Sequence, residues 1–127
     1  MRLDVYTVTV DTVGGAGVAA GNQDVSIPVQ GYIEWVYFDF HASAPATTDC
    51  ILKYASSGLP PAGNIAVTNN TATDALKFPR AKLVDNADAA ITDSYDKFPV
   101  GGTLNLAVAQ SDALTGAVTA YICVSHP

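Results

Sequence analysis

The chain has 127 residues, with six Lys and Arg against twelve Asp and Glu and a formal charge of −6. Hydrophobic residues make up 49% and charged residues 14%, which excludes a disordered tail and is ample for one buried core. The acidic balance argues against nucleic acid as a partner, because counterion release needs a basic surface. No apolar run approaches the roughly 20 residues of a membrane-crossing helix, so no membrane partner is expected either.

The start of the chain, Met1-Arg2-Leu3-Asp4-Val5, lacks the charged, apolar, then small order of a signal peptide. One soluble, unprocessed domain spanning residues 1–127 is the expectation. Val, Ile, Thr, Tyr, Phe and Trp total forty-three, whereas Glu, Gln, Lys, Arg and Met total eleven. β-Branched and aromatic side chains suit a pleated surface, and straight ones suit a helix. Ten Gly and seven Pro punctuate the chain at short intervals, as in a sandwich or barrel. The fold class expected is all-β.

In chain order, Leu3 to Val10 is the first strand, with Leu3, Val5, Thr7 and Thr9 on one face. Gly14-Gly15-Ala16-Gly17 then makes a loop or bulge. A short strand at Val25 to Val29 contains Pro28, which confines it to an edge or a bend. Gly31 to His41 is the most aromatic stretch. Strict alternation puts Ile33, Trp35 and Tyr37 on one face and Tyr32, Val36, Phe38 and Phe40 on the other. Both faces are apolar, so this segment is expected to lie across a subunit contact as well as a core.

Cys50 to Tyr54 and Ile65 to Thr68 are strands on either side of the loop 56–63, and Asn69-Asn70-Thr71 is a turn. Pro79 splits Lys77 to Val84, and 85–96 is an Asp-rich connection. In Thr103 to Ala109, Leu104, Leu106 and Val108 point inward while Thr103 and Asn105 point outward. Ala117 to Val124 follows, as if closing a hairpin with that run. The sum is about eight antiparallel strands, which suggests a jelly-roll-like β-sandwich.

Candidate chemistry is sparse. Gly15-Ala16-Gly17-Val18-Ala19-Ala20 fits a dinucleotide fingerprint but is not followed by helix-forming sequence, so a plain glycine loop is expected. His41 follows Asp39 by two positions with no nucleophile motif nearby, and His126 is the penultimate residue, expected to fray. The segment Asp85-Asn86-Ala87-Asp88 to Asp93-Ser94-Tyr95-Asp96 would offer oxygen ligands to a hard cation, but it misses the EF-hand spacing. Cys50 and Cys123 lack a further ligand set for zinc, and two buried, reduced thiols are expected. Asn69-Asn70-Thr71 matches a glycosylation sequon, which has meaning only on a secretory route. No catalytic, metal or cofactor site is assigned. Lys77, Arg80 and Lys82 hold half of the positive charge within six residues and would meet an acidic partner or guard an edge strand.

The C-terminal half runs Lys77-Phe78-Pro79-Arg80-Ala81, an Asp-rich insert, then Tyr95-Asp96-Lys97-Phe98-Pro99-Val100. It continues through Thr103-Leu104-Asn105-Leu106-Ala107-Val108 to Thr115-Gly116-Ala117-Val118 and Tyr121-Ile122. This sequence is similar to small virion proteins of tailed bacteriophages, including capsid decoration or cement proteins. The resemblance covers roughly residues 75 to 124. It implies a β-sandwich that sits as a dimer or trimer on the outside of an icosahedral head and reinforces the lattice of the major capsid protein. It carries no catalytic residues. The expectation is therefore a non-enzymatic virion protein, made in the host cytoplasm and located on the capsid exterior. Its interface candidates are Tyr32, Trp35, Tyr37, Phe38, Phe40, Lys77, Arg80 and Lys82. Two other classes compete. A carbohydrate-binding sandwich, free or on a phage tail, would stack sugars on Trp35, Tyr37 or Tyr54. A cupin-like enzyme would need two or three His with a carboxylate as metal ligands, and the two His of this chain are isolated from each other.

Overall fold

The computed structural model describes residues 1–55, 63–84, 87 and 89–127, without the side chains of 83, 84 and 90–94. Among them are nine strands and no helix: β1 (Arg2–Val10), β2 (Ala19–Phe40), β3 (Asp49–Tyr54), β4 (Asn64–Thr68), β5 (Ala75–Lys77), β6 (Arg80–Val84), β7 (Ala90–Lys97), β8 (Pro99–Ser111) and β9 (Val118–His126). All pairings are antiparallel, and the fold is a β-sandwich.

The 22-residue β2 organises both layers. Its first half, from Ala19 to Ile27, pairs with β8, which pairs on with β3 and then β4. Its second half, from Tyr32 to Phe40, pairs with β9 on one side and β5 on the other, and β9 carries β1 at the edge. The back sheet is therefore β2-β8-β3-β4 and the front sheet β1-β9-β2-β5. First strand pairs with last and second with penultimate, a nested order consistent with the β-sandwich expected. β6 and β7 form a separate hairpin.

Two expectations are corrected here. The short strand at Val25 and the aromatic strand after Gly31 are one element, bent between Ile27 and Gly31, where the pairing with β8 slips. Pro28 lies in that slip, where its missing N–H breaks no ladder. Gly31 is placed where a Cβ would collide with the Ser125 carbonyl oxygen, so only glycine lets the strand cross from one sheet to the other. The runs at Thr103 and Ala117 do not form a hairpin. β2 stands between β8 and β9, and the turn between them passes from the back sheet to the front.

The core lies between the sheets. Val8, Val10, Ile33, Val36, Phe38, Phe40, Ile122 and Val124 come from the front, and Ile27, Leu52, Leu104, Leu106 and Val108 from the back. In β8 the expected alternation holds: Leu104, Leu106 and Val108 are buried, while Thr103 and Asn105 are only half-buried. In β1 the face Leu3, Val5, Thr7 and Thr9 is the outer one.

The aromatic strand departs from strict alternation. Ile33 pairs with Val124 and Trp35 with Cys123, so Glu34 is one extra residue in a β-bulge. The bulge advances the phase by one. Ile33 joins Val36, Phe38 and Phe40 inside, and Tyr32 joins Trp35 and Tyr37 outside. Local periodicity misplaces Tyr32 and Ile33 because a bulge is set by the partner strand, not by the sequence of one strand.

Candidate functional site: the outer face of the front sheet

Residues directly opposite in an antiparallel pair point to the same side. The register therefore lays out the outer face row by row. Val5, Cys123 and Trp35 form one row, and Thr7, Tyr121, Tyr37 and Leu76 form the next. Phe78, two residues after Leu76 along the chain, is level with Trp35 and adds to the first row. Trp35, Tyr37, Leu76, Phe78 and Tyr121 line an open groove of about 550 Å³. The Tyr37 and Tyr121 rings lie 6.3 Å apart at 44°. Leu76 is 53% and Phe78 62% exposed, large apolar side chains that a sandwich normally keeps inside.

Polar groups fix both ends of this face. Asp74 accepts hydrogen bonds from the Phe40 N–H at 2.8 Å and the Tyr37 hydroxyl at 3.4 Å. Burial, then the Asp74 carboxylate, pushes the Tyr37 hydroxyl above its ordinary pKa. At the other end the bulge residue Glu34 accepts from Lys97 Nζ at 2.8 Å and from Ser125 Oγ at 2.6 Å. Its backbone carbonyl accepts from Arg80 at 3.3 Å. The Lys97 bond first, then that of Ser125, holds the Glu34 carboxyl below its usual range against the opposing effect of burial. This clasp ties the β6–β7 hairpin to the sheet.

His126 is not frayed. It is buried at 3% exposure, in the register pair with Arg2. Its Nδ1 faces the Gln30 carbonyl at 3.0 Å, so that nitrogen carries the hydrogen. Nε2 is left facing the Tyr6 hydroxyl at 3.2 Å and Asp4 Oδ2 at 3.3 Å. His41 Nδ1 accepts from the Ser43 N–H at 2.9 Å, a local turn contact that does not involve Asp39.

The back sheet presents a different outer face. Asn22, Asp24 and Asn105 stand together there, with Asn105 Nδ2 donating to Asp24 Oδ1 at 2.8 Å and to Asn22 Oδ1 at 3.2 Å. One side of the sandwich is aromatic and the other is amide and carboxylate.

Of the interface candidates, Tyr32, Trp35 and Tyr37 are on the outer face. Phe38 (0% exposed) and Phe40 (6%) are core residues and leave the surface set, because they alternate with Trp35 and Tyr37 and so face the second sheet. Lys77 is half-buried in β5, while Arg80 and Lys82 are exposed on β6. Tyr54, a sugar-stacking candidate, is buried with its hydroxyl donating to the Pro99 carbonyl at 2.6 Å. Burial pushes that hydroxyl up to about 12. Sequence reasoning missed Tyr121, Leu76, Phe78 and Glu34. The signal available was the i, i+2 pair Leu76 and Phe78, a doublet of bulky residues outside the main aromatic strand.

Gly15-Ala16-Gly17 lies in a loop with no helix after it, and the Gly17 N–H donates to Asp112 Oδ1 at 2.9 Å. Both cysteines are free and buried, and burial pushes the Cys50 thiol up to about 12. Among the described residues no three His, Cys, Asp or Glu side chains are grouped to hold a metal ion. Asp85, Asn86 and Asp88 of the acidic segment lie outside the described residues, as do the side chains of Asp93 and Ser94. No described helix is long and apolar enough to cross a membrane.

No protein-family model matches the chain, and no curated protein matches it. Two solved structures are similar over most of its length. One is a cycloisomaltooligosaccharide glucanotransferase of Paenibacillus sp. in complex with cycloisomaltoheptaose, at 12% identity and a TM-score of 0.27 over 96% of this chain and 18% of that one. The other is the infectious bursal disease virus Gx strain, at 16% identity and a TM-score of 0.26 over 98% of this chain and 38% of that one. The chain thus spans well under half the length of either. Likenesses of this size leave the reading of function to the chain's own residues.

Proposed function

We propose that the protein is a non-enzymatic structural protein of a virion: a decoration protein that docks on the outer surface of a phage capsid and stabilises the head. The observation that carries this reading is the asymmetry of the sandwich. The front sheet offers Trp35, Tyr37, Tyr121, Leu76 and Phe78 on one continuous face, whereas the back sheet offers Asn22, Asp24 and Asn105. A protein that lies on a lattice needs one face to bury and one to keep wet, and aromatic patches with a polar surround are the usual anchors of such contacts. The partner is the major capsid protein. An oligomer that straddles neighbouring capsomers makes its later contacts effectively intramolecular, so modest contacts add up to firm retention. Arg80 and Lys82, exposed on β6, supply charge for an acidic shell surface, whereas Lys77 lies opposite the core residue Val36 and points away from the groove face. The C-terminal resemblance to decoration proteins supports the same reading.

The test compares particles assembled with and without the protein, heated or taken to low salt while DNA release is followed. Earlier release from the undecorated particles is expected. Equal resistance in both, or a location only on the tail, would refute the cement role.

A sugar-binding module is the second reading, favoured by the open ring faces of Trp35, Tyr37 and Tyr121 beside the Asp74 carboxylate. The groove is lined by apolar side chains with little hydrogen-bonding capacity, which ranks it below the protein contact. Calorimetry with oligosaccharides separates the two, since saturable binding that Trp35→Ala abolishes would support the sugar reading.

A further inference from the structure

We infer that the free edge of β1 is a homodimer seam, at which a second copy of the chain pairs its own β1 antiparallel across a two-fold axis. Among the described residues β1 pairs with β9 alone, in an unbroken register from Arg2–His126 to Val10–Val118. Alternate residues of this nine-residue strand therefore present N–H and C=O groups along the other side with no partner among the described residues. Soluble β-proteins normally blunt such an edge with Pro, Lys, a bulge or an inward charge. The charges of this strand, Arg2 and the inward-side Asp4, are confined to its first three residues and pair with each other, and from Val5 to Val10 it has none of these devices. By contrast, the edge strand at the opposite border of the front sheet, β5, is only three residues long.

The unpaired backbone groups require an extended strand as occupant, and three observations select a second copy. A two-fold opposite Tyr6 overlaps all nine residues and sets Val5 beside the partner's Thr7, and Leu3 beside the partner's Thr9, favourable β-branched and aliphatic neighbours on one face. Short-range charge repulsion is absent there, because the one acid of the strand, Asp4, is neutralised by Arg2 Nε at 2.8 Å and lies opposite the partner's Val8. Leu3 (55% exposed) and Val5 (52%) adjoin the Cys123 and Trp35 row, so pairing also joins the two apolar outer faces into one. The dimer would present a single broad aromatic surface with both polar back faces turned away.

The seam rests on the β1 edge and not on the capsid reading, so the two fail separately. Sedimentation of the full chain at about 100 µM should give twice 13.1 kDa. Hydrogen exchange should show alternate β1 amides protected at that concentration and exposed on dilution. Val5→Lys with Thr7→Lys, both on exposed positions, sets lysines opposite lysines across the seam and should give a monomer with unchanged far-UV circular dichroism. Asp39→Lys, on an exposed position of β2 two strands from the edge, should leave the dimer intact. A monomer at about 100 µM, a trimer, or a dimer that survives the paired lysines with β1 amides unprotected would overturn the seam. Loss of capsid retention by a chain that still dimerises would overturn the capsid reading alone.

Discussion

At the scale of single residues, Glu34 combines two roles: it is the extra residue of the bulge and the acceptor of the Lys97 and Ser125 bonds. Its folded carboxyl is held below the ordinary value, so its contribution to stability is full above the unfolded carboxylate pKa of about 4.3 and is lost as the pH falls through the lower folded value. Glu34→Gln should lower stability at pH 7 by about 1 kcal/mol. The gap from the native chain should close in strongly acidic solution, as urea melts across pH would show. A gap that stays constant with pH would remove the carboxylate from the account. The cysteines give a second residue-scale expectation. Thiolate is the reactive form, and burial pushes both thiols upward, Cys50 to about 12. Iodoacetamide at pH 8 should therefore leave both unmodified in the folded protein and label both in urea, as mass spectrometry would record.

At the scale of elements, β2 decides the architecture. Removing Glu34 would place Ile33 and Trp35 as consecutive rungs opposite Val124 and Cys123, leaving every inward and outward side chain on its present face. Removing Tyr37 would instead invert Phe38 and Phe40 relative to the core. The Glu34 deletion is expected to fold with a loss of about 1–3 kcal/mol, and the Tyr37 deletion not to fold. Circular dichroism and thermal melts of the two separate these outcomes. At the crossing between sheets, Gly31→Ala drives a methyl against the Ser125 carbonyl and the Val124 side chain, neither of which is a free chain end. A loss of about 2–4 kcal/mol is expected, because the clash is with paired backbone that cannot give.

At the scale of the whole molecule, the two outer faces should behave differently. Trp35→Ser with Tyr121→Ser removes aromatic area from the groove without touching the core, so the fold is retained while binding to particles is lost. Asn22→Ala with Asn105→Ala on the back face should leave binding unchanged. Co-sedimentation with undecorated particles checks both, and equal effects of the two pairs would mean that the aromatic face is not the contact.

Some of this was determined by the sequence alone. The strand character, the inward set Leu104, Leu106 and Val108, the shared face of Leu3 to Thr9 and the split at Pro79 all follow from period-two patterning and local dihedral restriction, which one strand carries by itself. The tertiary structure decided the rest. The bulge at Glu34, the joining of two predicted strands into β2, the separation of β8 from β9, and the burial of His126 each depend on a partner strand distant in the chain. The groove is the clearest case. Trp35, Leu76 and Tyr121 come from β2, β5 and β9, and no pattern within one strand states which strands will be neighbours, because register and order are fixed only when the long-range ladders close.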